Sequence, residues 1–411
     1  MGMYKTYGND EYNQLAYLYP KYKIDKKIRL IEFFGGYGTF SFALKYLGAD
    51  YESYKLCEWA VKSIKAYHNA HHKDDNTDYS KDLTKEEIID YLANKGISSN
   101  YNEPMSKEQV ERLSEVNLRN IYNDIKATNN LVNIQQVKGS DLEIVDKDKY
   151  EYVLTYSYPC QDLSLSGERK GMSDTSTRSG MLWEVERILD ELHESNSLPQ
   201  VLIMENVQQV HDSTNREDFN RWLVRLEDLG YKNYYRDLQA TDFNIPQLRT
   251  RCFMISILGD YSYTFPHPIT NEKDLNVKSL LEKEVEDKYY LSEQFLEWSK
   301  KTTYHQSSYD FCTLKRISNT LTTAVHLFFK DPTNTTQDSN SENMRYLTPR
   351  ESFRLMGIKD KDFDNIAINQ SDTSLWHLAG DAIVCLVPMA IFGELLDINY
   401  VDIIKNWDFK N

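Results

Sequence analysis

The stretch Ile28 to Phe34 is short and mostly apolar, and it ends at Gly35-Gly36-Tyr37-Gly38. A buried strand running into a glycine turn is the expected structure. Apolar positions in TFSFALKYL, 39–47, then recur at helical spacing. A second strand is expected at 54–59 (YKLCEW), followed by a helix over AVKSIKAYHNAH, 60–71. Strand, turn, helix, strand, helix opens a parallel doubly wound sheet. Residues 84–128 read as helices with a polar loop near 98–106. Further strands are expected at 152–157, 201–204 and 252–258, the first two flanking an amphipathic helix in SGMLWEVERILDELHES.

The rhythm then stops. Residues 260–344 are rich in Thr, Ser and Asn without αβ alternation, and KDPTNTTQDSNSEN, 330–343, reads as a loop. Helical spacing returns at 348–357 and 382–397, while the polar, tyrosine-rich residues 1–27 read as an N-terminal extension. The expected fold is α/β, a Rossmann-like doubly wound, mostly parallel sheet with a smaller, irregular domain.

Composition changes this picture in few places. A length of 411 residues suits two domains or one large domain with an insertion, and 40% hydrophobic content supports a real core. The net charge of −15 counts against a nucleic-acid partner unless cations gather on one face. Cysteines at 57, 160, 252, 312 and 385 form no CxxC pair, so neither a disulfide framework nor a zinc site is expected. A reducing cytoplasm is the natural setting. No run approaches the roughly 20 apolar residues of a membrane span, and no basic-then-apolar signal opens the chain. HNAHH, 68–72, has metal-ligand spacing, but with no acidic or thiol cluster nearby a solvated helix end is expected.

Chemistry concentrates at strand exits. The glycines after the first strand let backbone N–H groups approach a ligand. Glu58 follows about 20 residues on, where a carboxylate would grip ribose hydroxyls. Phe40-Ser41 replace the third glycine of a dinucleotide site, so a nucleoside cofactor without phosphates fits better. Cys160 follows Pro159 at a strand exit and precedes polar residues. Lone cysteines are more often packing residues, but this placement favours a nucleophile. Glu205, in MENV at 204–207, is either the cap of a following helix or a partly buried acid beside Cys160, if the two strands are neighbours. Gln247, Arg249 and Arg251 alternate and are expected on one strand face, with internal salt bridging as the bland alternative.

In order, these stretches resemble the DNA cytosine-5 methyltransferases that use S-adenosylmethionine, over most of residues 28–397 except 260–315. EFFGGYG, with Phe34, Gly36 and Gly38, resembles the cofactor loop, and Glu58-Trp59 the ribose-binding acid with its adenine-contacting neighbour. SYPCQDLS resembles the Pro-Cys-Gln motif, MENV the Glu-Asn-Val motif and QLRTR the Gln-x-Arg-x-Arg element. RYLTPRESFRLMG resembles the helix that braces the recognition domain, and LAGDAIVCLVP the final motif.

The resemblance implies Cys160 as nucleophile, Glu205 as acid, Asn206 holding the catalytic loop, and Arg251 on the cytosine carbonyl oxygen with Arg249 in support. It implies a cofactor site of Phe34, Gly36, Gly38, Glu58, Trp59, Asp82, Pro159 and Asp381, with Asp141 a rival to Asp82 for the adenine amino group. Gln161, Ser164, Ser166, Arg169, Lys170, Thr320 and Thr322 would meet double-stranded DNA, and the loop 161–178 would close over it. Arg178, Arg249, Arg251, Arg345, Arg350 and Arg354 also fall in motifs expected to face or brace a DNA cleft, so the acidic total is no veto. Residues 28–258 and 345–411 would form the catalytic domain and 259–344 the target recognition domain, in a monomer of a bacterial or phage restriction-modification setting.

Three positions depart from the family pattern. Glu32 stands for the usual Asp, Thr39 for a common Gly, and Asp381 for the usual Asn of the last motif. An added negative charge at that last position makes a modified cofactor one alternative. A tRNA substrate is a second, and a non-catalytic DNA-binding regulator a third. The long 259–344 segment favours DNA, and intact Cys160, Glu205 and Arg251 favour an enzyme.

Overall fold

The computed structural model describes residues 18–158, 179–294, 316–323, 328–330 and 344–410. Pro159, Cys160, Gln161, Ser164, Ser166, Arg169, Lys170 and Arg178 lie outside the described residues, as does most of the expected 330–343 loop. The chain runs β1 (Lys27–Phe33), α1 (Thr39–Leu47), β2 (Tyr51–Cys57), α2 (Val61–His71), α3 (Lys85–Lys95), α4 (Lys107–Glu111) and α5 (Glu115–Ala127). It continues with β3 (Tyr150–Tyr156), α6 (Leu182–Glu194), β4 (Val201–Val207), α7 (Arg216–Asp228), β5 (Tyr231–Gln239) and β6 (Thr250–Leu258). Last come β7 (Phe328–Lys330), β8 (Met344–Tyr346), α8 (Pro349–Leu355), α9 (Asp360–Ile366), α10 (Asp372–Asp381), α11 (Leu386–Leu396) and α12 (Tyr400–Lys405).

Two units divide the chain: Met1–Leu238 with Thr250–Pro266 and Pro388–Tyr400, and Gln239–Arg249 with His267–Val387 and Val401–Asn411. The stretch 345–387, expected with the sheet, therefore falls in the second unit. The first unit is built on a sheet of order β2-β1-β3-β4-β6-β5. The ladders β1–β2, β1–β3 and β3–β4 are parallel, and β6 runs antiparallel to β4. This is an α/β sheet of the expected kind, with its antiparallel part at one side.

Why the central strands form is plain from burial. β4 is buried at every position and β3 at all but its first residue, as strands covered on both faces must be. β5 was not expected, because as an edge strand it mixes buried Tyr231, Asn233, Tyr234 and Leu238 with half-exposed polar residues. α7 was not expected either, since only Phe219, Trp222 and Leu226 of its thirteen residues are buried. Trp222 nonetheless anchors the helix, donating from Nε1 to the Tyr156 hydroxyl at 3.1 Å beneath the sheet. α2, α3 and α5 share a separate apolar cluster that includes Ile64, Ile88, Leu92, Leu118 and Ile125. Of the expected N-terminal extension, Tyr22 and Ile24 bond to the first unit, their N–H groups donating to the Ser262 and Leu395 carbonyls at 2.8 Å.

In the second unit β7 pairs antiparallel with β8. α8 starts on a capping box of Thr348 and Glu351 with Pro349 at its first turn, which satisfies two of the helix's orphan N–H groups. Among the described residues no single helix is long and apolar enough to cross a membrane.

Candidate active site

The glycine turn sits at the carboxyl end of β1. Phe34, Gly36 and Gly38 all take left-handed backbone angles (φ 58°, 55° and 82°). Such an angle is rare for a bulky residue, and at Phe34 it marks a turn held by its surroundings. Gly38 cannot be replaced, because a Cβ there would lie 2.4 Å from His71 Nε2 and 2.7 Å from the Tyr67 ring. At Gly36 a Cβ would meet nothing within 4 Å, so that part of the turn is uncovered. The Gly36 N–H donates to Glu58 Oε2 at 3.0 Å, and Glu58 Oε1 accepts from the Ala60 N–H at 2.8 Å. An uncovered glycine backbone beside a fixed carboxylate fits a ribose.

One contributor escaped sequence reasoning. Asn130 clips the backbone of Glu58 from both sides, its Oδ1 accepting from the Glu58 N–H at 3.0 Å and its Nδ2 donating to the Glu58 carbonyl at 2.9 Å. It can do so because residues 129–131 lie alongside β2, with Leu131 N–H donating to Leu56 O at 2.8 Å. Asp82 instead lies in an exposed turn before α3, and Asp141 is exposed, accepting from the Lys138 N–H at 2.9 Å. Trp59 packs against the α2–α3–α5 cluster.

The histidines of HNAHH do not form a solvated helix end. The His71 ring packs 4.4 Å from Phe42 and 4.8 Å from Tyr67, and its Nε2 bonds to the Tyr37 carbonyl at 3.0 Å. Burial pushes the His71 pKa down to about 3, so the ring is neutral packing under the glycine turn. His68 pairs with Asp124 at 2.8 Å and His72 stacks on Tyr67.

Glu32 reaches the same region from inside. It is buried, accepts from Ser41 Oγ at 2.6 Å and from Tyr67 OH at 2.7 Å, and its Oε1 has no partner. Burial raises its pKa to about 7 against the lowering effect of those two bonds. A raised carboxyl pKa makes its contribution to stability full below the ordinary carboxylate range and lost as pH rises through about 7. Glu32→Gln is therefore expected to flatten the fall in stability between acid and neutral pH. Urea unfolding of both proteins across that window checks it; parallel curves would refute the assignment.

The second cluster lies at the exit of β4 and the start of the antiparallel β6. β3 and β4 are neighbours, Tyr156 pairing with Met204, so the strand leading to Cys160 and the strand carrying Glu205 lie side by side. Glu205 and Asn206 pair across the β4–β6 ladder with Phe253 and Cys252, and Val207 pairs with Arg251. This diagonal brings Arg251 Nε to 3.2 Å from Glu205 Oε1. Asn206 is buried on the other face, where its Nδ2 donates to the Tyr158 carbonyl at 3.1 Å. Its amide is thus fastened to the last described residue before Pro159 and Cys160.

The QLRTR element splits. β6 starts only at Thr250, so Gln247 and Arg249 do not share a strand face with Arg251. Both are buried in the second unit. Arg249 donates to the carbonyls of Leu321 (2.8 Å), Gly380 (3.2 Å) and Ala382 (2.6 Å). Gln247 donates to Leu355 O at 2.9 Å and accepts from Leu321 N–H at 3.0 Å. Thr320 donates to the Leu248 carbonyl. The Thr322 backbone lies so close to Gly380 that a Cβ there would fall 2.4 Å from its carbonyl carbon. Arg249 therefore brackets the exposed Asp381 through the peptide groups on either side of it.

Among the described residues, the other motif arginines are also engaged. Arg345 and Glu351 are fully buried and joined by two 2.8 Å bonds. Arg354 chelates Asp360 at 2.8 and 2.6 Å, and Arg350 pairs with Glu282 and Asp364. These groups brace the second unit; their charge is neutralised by neighbouring acids.

Known proteins resemble this chain in sequence and in fold. Residues 110–397 match the family model described as C-5 cytosine-specific DNA methylase. The chain is 40% identical over 272 residues to the orphan methyltransferase M.SssI of Spiroplasma monobiae, covering 65% of this chain and 68% of that one. It is 32% identical over 383 residues to the type II methyltransferase M2.ScrFI of Lactococcus lactis subsp. cremoris, covering 90% and 99%. Among solved structures, the S. pombe Dnmt2 methyltransferase superimposes with a TM-score of 0.59 at 18% identity, over 90% of this chain and 99% of that one, a likeness of fold. The chain belongs to the C-5 cytosine-specific DNA methylase family and is a DNA (cytosine-5)-methyltransferase.

Proposed function

We propose that the enzyme methylates one flipped-out cytosine within a specific double-stranded DNA sequence, through a covalent bond from Cys160 to the base. The observation that carries this reading is the pairing of Glu205 with Arg251 at 3.2 Å, Glu205 lying on β4 beside the strand that leads to Cys160 and Arg251 on β6 at the other side of β4. Cytosine C5 is a poor nucleophile. Addition of the Cys160 sulfur to C6 converts the C5=C6 bond into an enamine, and negative charge gathers at N3. Glu205 protonates or hydrogen-bonds N3, while Arg251 orients the Glu205 carboxyl and approaches the neighbouring carbonyl oxygen. When bound, S-adenosylmethionine supplies the methyl group that C5 takes up. A base then removes the C5 proton and the thiolate departs, which restores the ring. These atoms are out of reach in a stacked duplex, so the base must leave the helix.

Phe34, Gly36, Gly38, Glu58 and Trp59 hold the nucleoside part of the cofactor in this proposal, with Asn130 fixing Glu58. Residues 259–344 supply target recognition. Glu58→Gln removes a charged acceptor, and charge-assisted bonds are worth about 1.5–3 kcal/mol. Affinity for S-adenosylmethionine is expected to fall about 10–100-fold by calorimetry; an unchanged Kd would remove Glu58 from the site.

Bisulfite sequencing of DNA from a host expressing the chain tests the whole reading, and one protected cytosine context is the expected result. A duplex carrying 5-fluorocytosine in that context should trap a covalent complex, because fluorine at C5 cannot leave as a proton. Protection scattered without context, or no trapped complex, would sink the proposal.

A further inference from the structure

Behind the catalytic strand exits lies a cluster that the methylation chemistry does not use. His211 ends the turn after β4, Asp237 lies on β5 and Cys252 on β6. Their ligand atoms all fall within 4.8 Å of one another. His211 Nε2 and Asp237 Oδ1 are 2.9 Å apart, and Gln208 Nε2 donates to the other Asp237 oxygen at 2.8 Å. Cys252 is completely buried on the sheet face opposite Glu205 and Arg251, directly across the ladder from Asn206.

A histidine–aspartate hydrogen bond accounts for two of these three groups. It does not call for a thiol on a third strand, and Cys252 is a buried free cysteine. An imidazole, a carboxylate and a thiol converging on one point are the donor set that zinc selects over magnesium or calcium. Tetrahedral zinc, with bonds of about 2.0–2.3 Å, places its ligand atoms roughly 3.3–3.6 Å apart. To reach that spacing the thiol and its partners, up to 4.8 Å apart, draw together by about 1 Å while the His211–Asp237 pair opens slightly from 2.9 Å, both at partly exposed side chains. Three protein ligands leave a fourth position for water at the partly exposed edge.

We infer that His211, Asp237 and Cys252 form a binding site for Zn2+ or a similar thiophilic divalent cation. Binding deprotonates the Cys252 thiol, which forms the metal–sulfur bond and releases one proton to solvent, and the Nε2 hydrogen that His211 shares with Asp237 gives way to the metal, the neutral ring keeping its hydrogen on Nδ1. The ion would tie the 208–211 turn to β5 and β6. The turn follows directly on β4, which carries Glu205 and Asn206, and β6 carries Arg251, so the ion acts as a structural clamp rather than as part of methyl transfer. Cysteine spacing in the sequence excludes a zinc finger; it does not exclude donors gathered from three separate segments.

The full-length protein, stripped of metal, is titrated with Zn2+ against a chromogenic chelator and with Co2+ by absorption. One equivalent per chain and a thiolate-to-cobalt charge-transfer band are expected. Cys252→Ser should abolish the band. His211→Gln, at a partly exposed position, should weaken Zn2+ binding by at least the 10–100-fold that even outer-shell partners contribute. Should Cys252→Ser fail to fold, the wild-type cobalt spectrum and His211→Gln decide. No stoichiometric uptake, Co2+ binding without the thiolate band, or unchanged affinity in His211→Gln would overturn the inference. Methylation readouts are not involved, so this result stands apart from the fate of the catalytic proposal.

Discussion

Methyl transfer is expected to vanish when Cys160 is exchanged for alanine, and to fall about 100–10,000-fold for Glu205→Gln, the range that a positioned acid contributes. The two losses have different causes. Without the sulfur no bond to C6 forms and C5 remains unactivated. With glutamine at 205 the thiolate can still add, but no proton is offered as charge gathers at N3. Glutamine also loses the charge that pairs with Arg251 at 3.2 Å, so part of the effect comes through a guanidinium left with a weaker partner. Both variants should fold and bind duplex DNA, because neither change enlarges a core side chain. Transfer of a labelled methyl group into duplex substrate, beside gel-shift affinity, separates chemistry from binding. Near-normal turnover in Glu205→Gln would exclude Glu205 as the N3 partner, and residual turnover in Cys160→Ala would exclude the covalent route.

Arg345→Met is expected to cost about 3–5 kcal/mol in the stability of the second unit, the range for breaking a buried pair by removing one partner. Arg345 and Glu351 are both fully excluded from solvent and bonded twice at 2.8 Å. Methionine fills much of the volume but leaves the Glu351 charge buried. Removing both charges does not cancel the loss here. Glu351 also accepts from the N–H groups of Thr348 (2.9 Å) and Glu282 (2.8 Å), closing the cap of α8 and fixing a neighbouring segment. A leucine at 351 would orphan both donors, at about 1–3 kcal/mol each when buried. Denaturant unfolding of Arg345→Met and of the Arg345→Met/Glu351→Leu double variant checks this. A double variant as stable as wild type would show that the pair is dispensable and its added bonds worth little.

The legible parts of the fold are those where burial writes itself into local pattern. β1, β3 and β4 each carry a run of buried apolar residues because both faces are covered. β5 and α7 were not legible, because each buries one side and presents tyrosines, charges and amides on the other. The edge beside β2 was missed for another reason. Residues 129–131 pair too briefly to show a period, yet Asn130 holds the backbone of Glu58 at both ends. The candidate site was legible as residue types at strand exits, but their partners were not. Arg249 and Arg251 look equivalent in QLRTR. One closes on three carbonyl groups of the second unit and the other on Glu205.

By itself the sequence determined which chemistry was available: a nucleophile, an acid, a glycine turn and a carboxylate, each at the end of an apolar run. These are local features, set by backbone sterics and by side-chain period, and a linear text can carry them. Only the tertiary structure decided which charges were consumed internally and which distant groups converged. Arg345, Arg350 and Arg354 were neutralised by acids brought close by folding, and His211, Asp237 and Cys252 were gathered from three segments. A guanidinium or a thiol takes its role from the atoms within a few ångströms of it, and those are chosen by strand order and packing rather than by neighbours in the chain.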